Sequence, residues 1–247
     1  MEETYANHIV LIGWDSFARA VCKQLIAAER FVVVVTNSLV DIQEIKSLYP
    51  KTQMIAVSAH REDFDKLRQV GVERAANLFI NITDDKEKLI YIFKLRKEFP
   101  DCKIVAPVNN PNLKETFVNA AEIHPLSKDE ISAKMFASYL FERDVAFYTS
   151  DLFATAVNDD DYDIQQFKVT ADNPLCGKSY GQSFNVLKKT VNAVLIGMAK
   201  PEGETRRLLK NPPTDTPVNE GDYLIVILSG RASTLLEQQF GVTEGES

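Results

Sequence analysis

The chain has 247 residues, a net charge of −7 and a pI near 5.1. This composition argues against a nucleic-acid-binding protein, whose footprint is basic. Hydrophobic residues make up 45% of the chain and charged residues 26%, which is ordinary for a soluble globular protein of one large or two small domains. Three separated cysteines suit a reducing compartment, and no signal peptide or apolar run of ~20 residues points to secretion or to a membrane span.

The first predicted element is a strand, turn and helix over residues 7–30. An apolar run, Ile9–Ile12, stops at Gly13, and Ser16 is placed to cap a helix with apolar residues at helical spacing. Such a unit opens a dinucleotide-binding fold, but the turn reads G-W-D-S-F-A where the phosphate-binding fingerprint is G-x-G-x-x-G. The sequence therefore predicts a Rossmann-like scaffold with an altered cofactor loop.

Short β-branched runs recur about every 22–25 residues, the spacing of alternating strands and helices. The predicted strands are 9–12, 31–35, 53–57, 78–82 and 103–108. The predicted helices are 17–28, 40–48, 64–70, 89–99 and 113–121. Because continuous apolar runs are typical of parallel strands buried on both faces, residues 1–125 are predicted to form an α/β domain with a doubly wound parallel sheet.

The pattern changes after Pro125, where residues 126–157 are predicted to form a helical connector. Its helix, 129–142, is apolar around much of its circumference and needs burial on more than one side. Two interpretations stay open: an internal connector between lobes, and a helix that docks on a second subunit. Beyond it, strands at 164–169, 191–198, 205–209 and 223–228 and helices near 180–187 and 232–240 predict a small α+β domain over 158–247.

The altered cofactor loop disfavours a dinucleotide. Asp15 stands at the place of the second glycine, where its side chain adds bulk and negative charge beside a diphosphate. Thr36 and Asn37 follow the second strand, where an acidic residue would bind the ribose hydroxyls. NAD is therefore the less favoured ligand, and an adenine nucleotide held at the helix N-terminus, or an empty crevice, are the alternatives.

His60 and Arg61 follow the third strand, at the edge where open α/β sheets bind ligands. They are either an anion-contacting pair or a solvated pair, and Trp14 either covers the turn or packs on a neighbouring loop. No catalytic constellation accompanies them, so the chain is predicted not to be an enzyme. The residues predicted for a nucleotide site are Gly13, Trp14, Asp15, Ser16, Thr36, Asn37, His60, Arg61 and Thr83.

The opening N-H-I-V-L-I-G-W resembles the start of the RCK domain (regulator of potassium conductance, also called KTN) in calcium-gated prokaryotic potassium channels. The second domain is similar to the TrkA C-terminal module in N-P-L-C-G-K at 173–178, I-G-M at 196–198, the prolines at 212–213 and E-G-D at 220–222. The resemblance covers nearly the whole chain and implies a Rossmann-like lobe followed by a TrkA-C-like domain.

The resemblance also implies a function. The chain is expected to be a cytoplasmic, ligand-sensing gating module that pairs with copies of itself, further assembles into an octameric ring, and acts on the membrane pore domain of a potassium channel without inserting into the membrane. Helix 129–142 is then a dimer contact and segment 89–99 a ring contact. The alternatives are a Trk-type potassium-uptake peripheral subunit regulated by nucleotides and, more distantly, an NAD(P)-dependent oxidoreductase.

Calcium is the other ligand that the resemblance implies, because such channels hold it with carboxylates near the end of the Rossmann part and in the joining segment. Glu122 stands about where the first of these residues would be. The other predicted ligands are Asp144, Asp151, Asp159, Asp160, Asp161 and Asp163. Oxygen ligands suit a hard cation, but the acidic run lacks EF-hand spacing, and a solvated loop is the alternative interpretation.

Overall fold

The computed structural model describes residues 5–121, 123, 125–203 and 205–245. The chain divides into two compact units, Met1–Glu142 and Arg143–Ser247, and the division falls inside the segment 126–157 that was predicted as a connector. Within the described ranges no helix is both long and apolar enough to cross a membrane.

The first unit contains a five-stranded parallel sheet in the order β3-β2-β1-β4-β5. Its strands are β1 (Ile9–Ile12), β2 (Val32–Thr36), β3 (Met54–Ser58), β4 (Asn77–Ile80) and β5 (Ile104–Val105). The helices between and after them are α1 (Ser16–Ala27), α2 (Leu39–Leu48), α3 (Phe64–Gln69), α4 (Asp85–Glu98) and α5 (Lys114–Ala121). This doubly wound order confirms the predicted α/β class.

Strand β2 shows why the continuous apolar runs form a central parallel sheet. All five of its residues are buried, with Val33 and Val35 in one apolar cluster and Val32 and Val34 in another. Since successive side chains of a strand point to opposite faces, the two clusters are the two covered faces of the sheet. The core of the first unit therefore lies on both sides of β2 and its neighbours.

Four helices begin at the carboxyl edge of this sheet, and each is capped by the residue before it. The side chains of Asp15, Ser38, Asp63 and Asp84 accept a backbone hydrogen bond from the first turn of α1, α2, α3 and α4. The predicted cap at Ser16 is wrong by one residue: Asp15 has the extended backbone of a cap, and Ser16 is already helical. Three of the four caps are carboxylates.

The predicted strand 103–108 is wrong as a single element. The structure has β5 and, separately, β6 (Pro107–Val108), which pairs in parallel with β7 (Leu126–Ser127) in a two-stranded sheet. Proline at 107 has no N–H to donate, so the first sheet ends at β5 and the chain turns to a new partner. Strand β7 leads into α6 (Lys128–Phe141), which Ser127 caps.

The second unit starts with α7 (Arg143–Phe153), which lies in the predicted helical connector 126–157 but beyond the one helix predicted there, 129–142. The remaining elements are β8 (Tyr162–Lys168), α8 (Tyr180–Val191), β9 (Val194–Glu202), β10 (Thr205–Lys210), β11 (Tyr223–Ser229) and α9 (Gly230–Phe240). The four strands form an antiparallel sheet in the order β10-β9-β11-β8, which confirms the α+β second domain. Helix α8 runs four residues beyond its predicted end and stops at Asn192, which has a left-handed backbone (φ 55°).

His8 gives the first unit a specific pH dependence. The side chain is buried before β1, and burial lowers the pKa of its imidazole. An unfolded chain binds the proton below about pH 6.5, whereas the folded chain binds it only at a lower pH, so stability is full above about pH 6.5 and falls as the pH drops below it. Urea titrations at pH 7.5 and pH 5.5 measure how much unfolding free energy is lost between these two pH values. We expect this loss to be smaller in His8→Phe than in the wild type. Equal losses would contradict this assignment.

Candidate functional site

A crevice of about 640 Å³ lies at the carboxyl ends of β1 to β4. This is the edge where open α/β sheets bind ligands, and the volume suits a small molecule. Its polar and charged lining consists of Thr36, Asn37, Asn81, His60, Arg61, Thr83, Asp84 and Glu87, with Gly13 at the turn after β1. Six of the nine residues predicted for a nucleotide site therefore line one cavity: Gly13, Thr36, Asn37, His60, Arg61 and Thr83.

The turn after β1 is closed against the loop after β4. Gly13 has a φ of +93°, and a Cβ at this position would lie 2.4 Å from the carbonyl oxygen of Asn81. The Asn81 N–H in turn donates to the carbonyl of Ile12 at 2.8 Å. The first glycine of the fingerprint is thus retained because the backbone conformation and this close approach both exclude a side chain.

Asp15 occupies the N-terminus of α1 with its own carboxylate. Its Oδ1 accepts hydrogen bonds from the backbone N–H of Ala18 and from Nδ2 of Asn81, both at 2.8 Å. In a dinucleotide-binding fold, this end of the first helix faces the pyrophosphate. Here the first turn already has an anion, and Trp14, Asp15 and Ser16 are not among the residues that line the crevice.

Trp14 packs on α2. Its Nε1–H donates to Glu44 at 3.4 Å, and the Arg19 guanidinium lies 5.8 Å from the centre of its ring. Arg19 also donates twice to the Glu44 carboxylate, at 2.8 and 2.7 Å, and this hydrogen bonding lowers the pKa of Glu44 and raises that of Arg19. Of the two alternatives for Trp14, packing on a neighbouring element is the one that the structure shows.

Thr36 and Asn37 stand at the end of β2 without the acidic residue of an NAD site. Thr36 is buried, and its hydroxyl donates to Asp41 and accepts from the Ser38 N–H, both at 3.1 Å. This hydroxyl is therefore part of the start of α2. The carboxylate of Asp41 belongs to that local network and does not line the crevice.

Arg61 and Glu87 form an ion pair within the crevice lining, between the loop after β3 and the first turn of α4. Tyr91, one turn further along α4, donates its hydroxyl to the Arg61 carbonyl at 2.7 Å, and its ring lies 5.9 Å from the guanidinium. Nε of Arg61 is buried and has no hydrogen-bond partner among the described residues. Asp84 and Glu87 were not predicted as site residues, because α4 begins four residues before its predicted start.

A buried ion pair lies in the same helix. Lys88 is fully buried and donates to Oδ1 of Asp85 at 2.8 Å and to the carbonyl of Pro107. Asp85 also accepts from the backbone N–H groups of Asn109 and Asn110, at 3.0 and 2.8 Å. Burial on its own would raise the pKa of Asp85, but the Lys88 ammonium and the two amides outweigh it, so that pKa is lowered.

The predicted calcium ligands lie partly together. Asp151 and Asp161 line a second cavity of about 530 Å³ inside the second unit, with Tyr148 and Tyr162. Asp161 accepts from the backbone N–H of Asn158 at 2.9 Å, and this bond, with a second from the next residue back, lowers the pKa of Asp161.

The other predicted ligands have separate surroundings. Asp144 and Asp160 are exposed, Asp159 pairs with Arg231 at 3.7 Å, and buried Asp163 accepts from the Ala156 N–H at 2.9 Å. Glu122 lies outside the described residues. Among the residues that are described, no three His, Cys, Asp or Glu side chains are grouped closely enough to hold a metal ion.

The fold is that of a Rossmann-type domain with a crevice at the carboxyl edge of its sheet, and comparison with known proteins finds similar chains. Residues 9–125, slightly less than half of the chain, match the TrkA-N domain. The resemblance to RCK domains, which carry this domain, is thereby confirmed.

Relatives of the chain include Potassium channel protein 1 of Methanocaldococcus jannaschii, which is 20% identical over 221 residues. The match covers 88% of this chain and 62% of the relative, so the chain spans about three fifths of that protein. The human SLO3 gating ring shares the fold, with a TM-score of 0.65 at 12% identity, over 95% of this chain and 46% of that chain. The GsuK RCK domain is 18% identical over 98% of this chain and 49% of that chain, with a TM-score of 0.44.

Proposed function

We propose that the chain is a ligand-sensing regulatory module of a potassium channel, without catalytic activity, that works as a homo-oligomer on the cytoplasmic face of a membrane pore domain. The observation that carries this proposal is the exposed apolar surface of α6 in a chain that matches the TrkA-N domain and shares the fold of a gating ring. The pore lies on the same gene product or on a separate chain.

Helix α6 presents large apolar side chains to solvent. None of its 14 residues, all of them described, is buried, and Phe136, Leu140 and Phe141 are 69%, 88% and 74% exposed. Such a surface marks a contact with another protein. A second copy of the chain is the occupant we propose, in agreement with the dimer contact that the RCK resemblance implies for 129–142.

A second apolar surface lies on the outer side of α4 and α5. Ile90 and Phe93 of α4 and Val118 of α5 are exposed, and the two helices are in contact. A single symmetric contact makes a dimer, whereas two different symmetric contacts on each copy can link dimers into a larger closed assembly. This surface supports the ring contact proposed for 89–99 and a ring of up to eight copies.

The crevice is the proposed ligand site of this module. A ligand regulates the pore only if it binds the open assembly and the closed assembly with different affinities. An adenine nucleotide in the crevice is the ligand that its place and volume favour, and NAD is disfavoured by Asp15. Calcium is the second candidate, and among its predicted ligands Asp151 and Asp161 are the pair that line one cavity of the second unit.

The second candidate function is a Trk-type potassium-uptake peripheral subunit regulated by nucleotides, which the TrkA-N match favours. It shares the ligand site and the oligomeric state with the first. An oxidoreductase, the more distant alternative, would also share this Rossmann-type scaffold.

Calorimetric titration of the purified chain with AMP, ADP, ATP, NADH and Ca²⁺ tests the proposal. We expect saturable binding of at least one adenine mononucleotide or of Ca²⁺, with a change in scattering from the assembly when the ligand binds. Turnover of NADH with a reducible substrate, or binding of NADH tighter than that of every mononucleotide, would contradict the proposal.

A further inference from the structure

We propose that the crevice binds the phosphate of a mononucleotide-sized ligand at Arg61, in exchange for Glu87, and not at the turn after β1. The inference rests on the proposed function, because it names the chemistry of the ligand at the same crevice. When a phosphate replaces Glu87 at Arg61, the contacts between the loop after β3 and α4 change.

The helix that follows the turn after β1 already has a carboxylate at its N-terminus. Asp15 occupies the first-turn amide of Ala18 and the side-chain amide of Asn81. Its carboxylate would also repel a phosphate at this place. The N-terminus of α4 is in the same condition, because the Asp84 carboxylate accepts from the Glu87 N–H at 2.8 Å.

Arg61 offers a positive charge for a phosphate, whereas the turn after β1 is followed by the negative charge of Asp15. It is the single arginine or lysine among the described residues that line the crevice. Its planar guanidinium can donate two parallel hydrogen bonds to a phosphate. The N–H at its buried Nε has no acceptor among the described residues. The carboxylate that holds it is replaceable, because the side chains of Arg61 and Glu87 are 30% and 52% exposed, and a pair this exposed contributes little free energy.

Replacement of Glu87 by a phosphate affects α4 because the loop after β3 is held to that helix by several polar contacts. Besides the Glu87 pair, the loop accepts the Tyr91 hydroxyl at the Arg61 carbonyl and the Lys94 ammonium at Glu62, at 2.7 and 2.8 Å. The apolar residues Ile90 and Phe93 of the proposed ring contact are exposed on the same helix. A ligand that frees Glu87 from Arg61 therefore changes the contacts that hold α4 against the loop after β3. Because α4 carries the proposed ring contact, this change reaches an assembly surface.

Titration of the full chain with AMP and with adenosine measures the phosphate contribution in wild type and four variants. AMP is expected to bind about tenfold or more tightly than adenosine in the wild type, the usual range for hydrogen bonds to a charged group. In Arg61→Gln this preference is expected to disappear, and in Glu87→Gln AMP binding is expected to tighten while adenosine binding stays unchanged. Glu98→Gln is the matched control, because Glu98 is also on α4 and accepts from an arginine, Arg68, at 2.6 Å, but does not line the crevice.

Asp15→Asn distinguishes the two places for the phosphate, since asparagine also caps helices but carries no charge. We expect AMP affinity to be unchanged in this variant. An increase in Asp15→Asn together with no loss in Arg61→Gln would overturn the proposal, and so would the absence of AMP binding from both wild type and Glu87→Gln. Failure of the proposed function is a separate result, because it would appear as a monomeric chain whatever the outcome of these titrations.

Discussion

Replacing Lys88 by methionine is expected to lower the free energy of unfolding by about 3–5 kcal/mol, the usual cost of removing one partner from a buried ion pair. Methionine fills much of the same space but leaves the Asp85 carboxylate without its ammonium and the Pro107 carbonyl without its donor. Urea unfolding at pH 7 measures this loss. Lys86→Met is the matched control, because Lys86 is exposed on the same helix, and its replacement is expected to change stability by less than about 0.5 kcal/mol.

The pH dependence separates loss of the ion pair from loss of packing. Because its folded-state pKa is lowered, Asp85 contributes stability that is present above about pH 4 and is lost as the pH falls through the lowered value. In Lys88→Met the unpaired carboxylate can take a proton, so the deficit relative to wild type is expected to shrink as the pH approaches 4. A deficit that is the same at pH 7 and pH 4 would show that packing alone, and not the charge, is responsible.

Two negative charges introduced on α6 are expected to dissociate the oligomer into smaller oligomers or monomers. Phe136 and Leu140 lie one turn apart on one face of the helix, so Phe136→Asp with Leu140→Asp places two carboxylates in the proposed dimer contact of each copy. Large apolar contact residues commonly contribute about 2 kcal/mol or more each, and two such losses weaken a dimer by roughly a thousandfold. Light scattering across protein concentration measures the change.

Lys134→Asp is the control for this experiment, since Lys134 is exposed on the opposite side of the same helix. It is expected to keep the wild-type mass, and circular dichroism of both variants should show unchanged helix content. If the Phe136 and Leu140 double variant keeps the mass of the wild type, α6 is not the dimer contact.

The sheet of the first unit could be predicted because its strands are buried on both faces and therefore read as continuous apolar runs. β2 is the best example: Val32–Thr36 is buried throughout, and the prediction differs from it by one residue. The crevice could be predicted in the same way, since the carboxyl ends of parallel strands meet at one edge. Thr36, His60, Arg61 and Thr83 each follow a predicted strand and do line one cavity.

The features that the sequence analysis missed depend on partners that are distant along the chain. Lys88 looks like any surface lysine in a helix until the carbonyl of Pro107 and the carboxylate of Asp85 are seen around it. The break at Pro107 depends on the pairing of β6 with β7, which follows it by more than a dozen residues. Asp15 was predicted to repel a ligand, but its role as the cap of α1 follows from its extended backbone and from Asn81, 66 residues away.

The mass of the wild-type chain in solution tests the central claim most directly. Multi-angle light scattering over a hundredfold range of concentration, with and without AMP or Ca²⁺, is expected to give a dimer or a larger assembly. A chain that stays at 27.8 kDa, the mass of one copy, under all of these conditions would contradict the account of a self-assembling regulatory module.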